Sequence, residues 1–431
     1  MMGPDRDSLL VMTRLPREGQ TKTRLIPALG ADGAAKFHDR LARHAVGRAL
    51  SFSMMQPEVD VRVHLAGGTA REGREWLGEV ECHQQVDGDL GERMQAAVDQ
   101  AFDDGARRVV VIGTDCPDLD EGMFDEAFKA LRNAELVYVP AEDGGYTLVG
   151  MSKPCAEVFK GIAWGGAEVL EQSLAAAKQA GREVGLLETL ADVDEPQDLE
   201  RAEAVLKSGS RVSVIIPTLN EERNLPTLLN TLKESPPYEI IVADGGSQDR
   251  TAVLAEQAGA RVVEVVGKGR GAQMNAAAAQ ASGEFLLFLH ADTLPPKNCT
   301  QVVRETLMQA GVSAGAFGFR LTDELALGPL IESLVKLRCR CLRTPYGDQG
   351  LFLRRRLFDH LGGFPEWPVM EDLHLVRLLG KLGEVRITEQ AAETSSRRWQ
   401  SGGTVRTFLR HQLMLLGYHL GLPIQTIARF R

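Results

Sequence analysis

The sequence predicts two tandem α/β domains, and three observations carry that expectation. The chain has 431 residues, beyond the size at which one hydrophobic core stops growing. Short apolar runs of strand length alternate with stretches of helical period through both halves. The rhythm breaks at Lys207-Ser208-Gly209-Ser210-Arg211, between a helical pattern ending at Leu206 and a new apolar run. The expected domains are therefore 1–206 and 212–431, with 207–211 as a linker.

In the first half, strands are expected at Leu9–Met12, Val61–Leu65, Val109–Ile112 and Leu136–Val139. In the second half they are expected at Val212–Ile216, Ile240–Ala243, Val262–Val266 and Phe285–Leu289. Leu375, Leu378, Leu379 and Leu382 recur at i, i+3, i+4 and i+7, which makes Glu371 and Asp372 the start of a helix. The apolar run from Thr404 to Leu422 carries Arg406, Arg410 and His411. It reads either as a helix docked on the second domain or as an amphipathic helix at a membrane surface. Each half also has an apolar run leading into an acid, Val109 to Asp115 and Phe285 to Asp292, a pattern a distant duplication would leave.

Composition narrows the function. A chain with 44% hydrophobic and 25% charged residues folds as an ordinary globular protein. A net charge of −10 argues against a broad basic surface for nucleic acid and favours a small-molecule substrate. The six cysteines form no CxxC pair, which fits reduced, structural thiols better than a zinc ribbon or a disulfide framework. Met1 to Ser8 is polar, without a signal-peptide core, and no apolar run reaches the ~20 residues of a spanning helix. The expected compartment is the cytoplasm, with peripheral contact at the inner face of the membrane as the variant that the C-terminal run allows.

In open α/β sheets ligands collect beyond the carboxyl ends of the strands. In the second half those ends run into Pro217-Thr218-Leu219-Asn220-Glu221-Glu222, Asp244-Gly245-Gly246-Ser247-Gln248-Asp249-Arg250-Thr251 and His290-Ala291-Asp292. A strand-end carboxylate can hold ribose hydroxyls, a role that suits Asp244. Mg²⁺ or Mn²⁺ needs oxygen ligands and neutralises a diphosphate, a role that suits Asp292. Lys268 and Arg270, in Gly267-Lys268-Gly269-Arg270-Gly271, stand where they can pair with a diphosphate, or else form a solvated basic loop.

The segments VSVIIPTLNEERNL, IIVADGGSQDRT, GRGAQMNAAAAQASGEFLLFLHADT and VMEDLHL resemble, in order and spacing, the motifs of family 2 glycosyltransferases with the GT-A fold. The resemblance covers most of 211–400. It implies a three-layer α/β/α domain with a mixed, mainly parallel sheet and a nucleoside-diphosphate sugar as donor. The implied donor contacts are Pro217, Thr218, Asn220, Glu221, Asp244, Lys268, Arg270, His290 and Ala291. It further implies an inverting transfer in which a carboxylate takes the acceptor proton. Asp372, with Glu371 beside it, is the candidate base, and ordinary helix-start acids are the plainer reading. Where many relatives carry a DXD pair this chain has His290-Ala291-Asp292, one carboxylate beside an imidazole. Asp348, in Gly347-Asp348-Gln349-Gly350, and Arg397-Arg398-Trp399 resemble family stretches on the acceptor side, where guanidinium groups hold phosphate and indole stacks on sugar. Relatives of this kind include enzymes proposed for arsenosugar assembly and others acting on carotenoid-type lipids, so the implied acceptor is a small molecule or lipid-like.

The first half has its own constellation. Met12 to Leu25 carries Arg14, Arg17, Lys22 and Arg24 in a loop broken by Pro16 and Gly19, a composition that can wrap phosphates. With Gly88-Asp89-Leu90-Gly91-Glu92-Arg93-Met94, Ile112-Gly113-Thr114-Asp115-Cys116-Pro117 and Glu142-Asp143-Gly144-Gly145-Tyr146, it resembles bacterial DUF2064-type proteins related to phospholactate guanylyltransferases. That implies a second GT-A-like domain with Arg14, Lys22 and Arg24 on phosphate, Asp115 on a metal and Asp143 near the substrate. Asp192, in Asp192-Val193-Asp194, is a candidate second metal ligand, while Asp194-Glu195-Pro196 can equally cap the next helix. Trp164-Gly165-Gly166 stands where relatives show Trp-Gly-Thr, which removes a hydroxyl and leaves the activity of this half open.

Two other readings compete. Gly267-Lys268-Gly269-Arg270-Gly271-Ala272 between two strands imitates a dinucleotide fingerprint, which would make the protein an NAD-dependent oxidoreductase. A non-catalytic scaffold that binds a nucleotide sugar would keep Asp244 and the basic loop without needing Asp372. The fusion itself suggests that one site prepares a molecule that the other glycosylates.

Overall fold

The computed structural model describes residues 6–322, 328–395 and 403–430. The chain forms two compact units, one made of residues up to Lys207 with Met308–Gly311, the other of the remainder from Ser208 onward. Each unit is a mixed, mainly parallel sheet between helices, the three-layer α/β/α architecture expected from the sequence.

In the first unit β1 (Arg6–Arg14), β2 (Val59–Ala66), β3 (Glu81–Gln84), β4 (Ala106–Ile112), β5 (Leu136–Pro140), β6 (Tyr146–Met151) and β7 (Val184–Leu186) line up in the order β3-β2-β1-β4-β6-β5-β7. Only β6 runs antiparallel to its neighbours, β4 and β5. Central strands read as unbroken apolar runs because both faces are covered. On β1 and β4 the period of two divides the side chains between two cores. Leu9, Val11, Val110 and Ile112 join one, and Leu10, Met12, Val109 and Val111 the other.

In the second unit β8 (Val212–Thr218), β9 (Glu239–Asp244), β10 (Arg261–Glu264), β11 (Phe285–Phe288), β12 (Thr293–Leu294), β13 (Val312–Leu321), β14 (Leu351–Arg354) and β15 (Glu384–Thr394) take the order β10-β9-β8-β11-β14-β13-β15-β12. Here β14 is the antiparallel strand beside β11 and β13. Thus both sheets begin with the same third-second-first-fourth order followed by an antiparallel strand. In both, the order reverses beside the first strand, between β1 and β4 and between β8 and β11. Such a reversal opens a crevice at the carboxyl ends of the strands.

Two expectations need correction. The strand expected at Val262–Val266 is Arg261–Glu264. The Val265 N–H bonds to Asp244 O at 2.8 Å, Gly267 turns the chain at φ +73°, and Val266 is left 68% exposed. The ten-residue strand β13 of the second unit has no counterpart among the expected strands, because it opens Val-Ser-Ala-Gly-Ala rather than as an apolar run. Small residues are required there: a Cβ at Gly315 would collide with the Phe352 ring of β14.

Among the described residues no helix is long and apolar enough to cross a membrane. The helix Thr404–His419 packs Met414 and Tyr418 against Val369, Met370, Ile424 and Ile427, so it does dock on the second unit. The five cysteines whose side chains are described are free and buried.

Candidate functional site

The strand ends at the β8/β11 crevice are joined by a dense set of polar contacts. Thr218, the last residue of β8, donates through Oγ1 to Asp244 Oδ1 at 3.1 Å. Asp244 is 4% exposed and also accepts from the N–H groups of Gly246 (3.0 Å) and Ser247 (2.8 Å) and from Ser247 Oγ (2.5 Å). Its carboxylate therefore shapes the turn after β9, and a ribose hydroxyl would have to share those lone pairs. Asn220 takes φ +56° so that its Oδ1 accepts from Gln248 N–H at 2.8 Å while its own N–H donates to Ser247 Oγ at 2.9 Å. The Glu221 N–H bonds to Thr251 Oγ1 at 2.8 Å. Pro217, Thr218, Asn220, Glu221 and Asp244 are thus brought together in two knitted loops. Gln273, absent from the expected set, is buried and donates to both Thr218 O (2.9 Å) and Ala243 O (3.0 Å). Its signal was a polar residue on the buried side of an apolar helical pattern.

Beyond β11 the expected catalytic and phosphate residues meet. Arg270 Nε donates to Glu371 Oε1 at 2.9 Å, and its Nη1 lies 3.1 Å from His290 Nε2. The guanidinium therefore faces inward, whereas Lys268 is exposed in the preceding turn. Glu371 is 3% exposed, and burial pushes its carboxyl above the ordinary range; the Asp372 charge adds to this and Arg270 opposes it. Asp372 is oriented by backbone alone, Oδ2 accepting from Gly347 N–H at 2.7 Å and Oδ1 from Leu373 N–H at 2.8 Å. Met370, just before this pair, takes φ +64°, a left-handed turn that a non-glycine residue adopts only when its surroundings impose it. A Cβ on Gly347 would stand 2.8 Å from His290 Nε2 and 3.3 Å from Asp372 Oδ2. Gly347 is thus the floor on which His290 and Asp372 converge, and its signal, a lone glycine before Asp348, was indistinct.

Asp292 follows Ala291 closely enough for its charge to act on Arg270. Asp348 lies one residue beyond Gly347, and its carbonyl accepts from Thr394 Oγ1 at 2.8 Å. Arg397, Arg398 and Trp399 lie outside the described residues. The glycine-rich stretch does not behave as a dinucleotide fingerprint. Its helix, Arg270–Ala278, follows the edge strand β10 rather than a strand at the crevice, and Gly271 is needed because a Cβ there would come 2.6 Å from Pro365 O.

In the first unit, Lys22 takes φ +47° and turns its amine to Asp115 Oδ1 (3.0 Å), Asp194 Oδ1 (3.1 Å) and Val193 O. Burial lowers the basicity of that amine, but Asp115 and Asp194 outweigh it and hold Lys22 above its ordinary value. Arg24 pairs with Asp194 at 3.2 Å, while Arg14 is exposed, its carbonyl contacting His38 Nε2 at 2.9 Å. Among the described residues, Asp143, Asp192 and Asp194 can each place an oxygen within 4.8 Å of the others. Of the expected metal ligands, Asp192 lies in this cluster with Asp143 and Asp194, and Asp115 lies across Lys22 from Asp194. Burial first, then the charges of Asp143 and Asp194, push Asp192 up to about 6. These acids rim a cavity of about 290 Å³ walled by Met12, Met94, Val149, Tyr146 and Trp164.

The chemistry of the donors fits a hard divalent cation better in the first unit than in the second. Three carboxylates, one of them raised by burial and by its acidic neighbours, match the oxygen preference of Mg²⁺ or Mn²⁺. Asp292 and His290 supply one oxygen and one nitrogen, and the nitrogen already faces Arg270. One consequence is measurable in the first unit. A carboxyl raised to about 6 binds its proton more tightly folded than unfolded, so it costs stability above that pH and the cost fades as pH falls through it. Mn²⁺ is expected to raise the melting temperature of the first unit more at pH 7.5 than at pH 5. Asp192→Asn should remove that difference, and an unchanged Mn²⁺ response in this variant, followed by scanning calorimetry, would discard the three-acid site.

Comparison with known proteins assigns both halves. Residues 213–357 match the family described as "Glycosyl transferase family 2", and residues 52–166 the family described as "Uncharacterized protein conserved in bacteria (DUF2064)". Glucosyl-3-phosphoglycerate synthase of Mycolicibacterium smegmatis is 31% identical over 181 residues, 35% of this chain and 58% of that protein. Glycosyltransferase AglE of Haloferax volcanii is 28% identical over 169 residues, 36% and 56% of the two chains. The chain thus spans little more than half the length of these curated relatives. A crystal structure of a putative nucleotide-diphospho-sugar transferase from Desulfovibrio desulfuricans is similar at 29% identity and a TM-score of 0.42, covering 47% of this chain and 96% of that one. The chain joins a DUF2064-type domain to a family 2 glycosyltransferase domain.

Proposed function

We propose that the second unit transfers a sugar from a nucleoside-diphosphate sugar to an acceptor hydroxyl with inversion, Asp372 serving as the base. The observation that carries this reading is the placement of Asp372. Its carboxylate is aimed by two backbone N–H groups at a floor, Gly347, which it shares with His290, at the crevice where the sheet order reverses. The acceptor proton passes to Asp372, the acceptor oxygen forms the new bond to the anomeric carbon, and the bond to the nucleoside diphosphate breaks on the opposite face. The knitted loops around Asn220 and Asp244 form the nucleotide side. Arg270 fixes Glu371 and His290, and Lys268 is left to meet phosphate. Mg²⁺ or Mn²⁺ at Asp292 would neutralise the departing diphosphate. The first unit is read as a nucleotidyl- or glycosyl-transferase-like site, on the strength of Lys22 between Asp115 and Asp194 beside the three-acid cluster.

Calorimetric titration with UDP, GDP and their sugars, with and without Mn²⁺, tests the donor half of this reading. Mn²⁺-dependent binding of one nucleotide is expected, weakened about tenfold or more in Asp292→Ala. If no nucleotide binds, the glycosyltransferase reading fails.

A further inference from the structure

Two helices of the second unit border Asp372, and both turn apolar ridges outward. The helix Gly328–Leu342 packs on the loop that orients Asp372: Arg338 Nη2 and Cys339 Sγ contact Gln349 Oε1 at 3.2 and 3.4 Å, and the Arg338 guanidinium lies 3.5 Å from the Tyr346 ring centroid. The helix Thr404–His419 packs on the segment that begins at Met370: Tyr418 Oη lies 3.1 Å from His374 Nδ1, and Met414 sits against Val369. The Gly347 N–H bond to Asp372 joins the two supports.

The outer faces do not match a water-facing surface. Leu330, Leu334 and Leu337 recur at i, i+4 and i+7 and are 55%, 36% and 56% exposed. Leu409, Leu413, Leu416 and Leu420 extend the same period by one more turn at 54%, 49%, 56% and 68%. Scattered exposed leucines need no explanation, but two in-phase ridges on neighbours of one carboxylate do. Their charge is also the reverse of the whole chain. Lys336, Arg340, Arg406 and Arg410 are exposed on these helices, and Glu393 is the last acid of the sequence. Glu332, the one acid of the first helix, is engaged by the Leu321 N–H at 2.8 Å. In a chain of net charge −10, leucine ridges on two helices whose exposed charges are cations complement an anionic bilayer.

We infer that the second unit docks on an anionic lipid bilayer through these two ridges and takes its acceptor hydroxyl from a lipid in that bilayer. The acceptor part rests on the glycosyltransferase reading above; the docking part does not. Leucines would enter the headgroup boundary while Arg406, Arg410, Lys336 and Arg340 meet the phosphates. The supports of Asp372 would then lie next to the interface where a lipid headgroup emerges.

Flotation of the full chain with vesicles of phosphatidylglycerol and phosphatidylcholine, against phosphatidylcholine alone, tests it. The protein is expected to float with the anionic vesicles and to be released by salt. Leu413→Asp with Leu416→Asp should cut the bound fraction about tenfold or more, and Arg406→Gln with Arg410→Gln, which leaves the core untouched, should do so by a similar factor. Absence of flotation by the unaltered protein, or flotation of both variants as complete as that of the unaltered protein, overturns the docking. So does a dimer in equilibrium sedimentation that the leucine variant dissociates without any vesicle binding, since a second copy would then cover the ridges. Nucleotide-sugar titration of the same samples separates the two readings: donor binding lost with flotation intact sinks the transfer, and flotation absent with donor binding intact sinks the docking.

Discussion

Asp372→Asn is expected to lower sugar transfer by about 10²–10⁴-fold while leaving donor affinity within a factor of about two, because a positioned base contributes that much and the amide keeps the shape of the side chain. The amide still accepts the Gly347 N–H bond through its oxygen, which keeps the loop in place, while proton acceptance and the bond from Leu373 N–H at the helix start are lost. Single-turnover kinetics with a saturating donor, beside calorimetric donor binding, would measure both. The outcome decides between enzyme and scaffold. A scaffold has no use for the Asp372 proton affinity, and full activity in the variant would move the base elsewhere. Glu371 is the neighbour to examine in that event, yet its carboxylate is buried and taken by Arg270, which argues for a positioning role.

Arg270→Met is expected to destabilise the second unit by about 2–3 kcal/mol at pH 8, short of the ~3–5 kcal/mol for breaking a fully buried pair. The discount has two sources: the Arg270 side chain is 30% exposed, and Glu371 can escape by taking a proton. Glu371 already has a folded-state value above its ordinary one, and losing Arg270 raises it further. A raised carboxyl binds more protons folded than unfolded, so its contribution falls as pH rises from the ordinary glutamate range through the raised value. The deficit should therefore be largest at pH 8 and partly recovered at pH 5. Thermal melts at the two pH values should show a drop of roughly 4–12 °C at the higher and visibly less at the lower. Equal losses at both would mean that Glu371 does not change its protonation and that the pair is not what holds this corner.

The two sites differ in what orients their charged groups. In the first unit Lys22 is locked by two carboxylates, and a phosphate entering there must displace or share Asp115 and Asp194. In the second, Arg270 is occupied in the same way by Glu371. In both units a cation that the sequence assigns to phosphate, Lys22 or Arg270, lies within 3.1 Å of an acid, and among the described residues Arg14, Arg24 and Lys268 are the exposed cations of the expected sets. Folding without an anion favours such pairing, since a buried cation without a partner is costly.

By itself the sequence determined the α/β class of both halves, the central strands, and the segments that gather at the strand ends. Those are written in local patterns: apolar runs of strand length, a helical leucine stripe after Asp372, and polar stretches after β8, β9 and β11. Only the tertiary structure decided what each polar group does. Nothing in the spacing pairs Arg270 with Glu371 across 101 positions or Lys22 with Asp194 across 172, because such pairs form when the sheet order reverses and brings distant strand ends together. The same holds for the antiparallel strands β6 and β14, for Gly347 beneath His290 and Asp372, and for the gathering of Asp143, Asp192 and Asp194 in one acidic cluster. Each depends on non-local packing, which a sequence encodes only through the sum of its contacts.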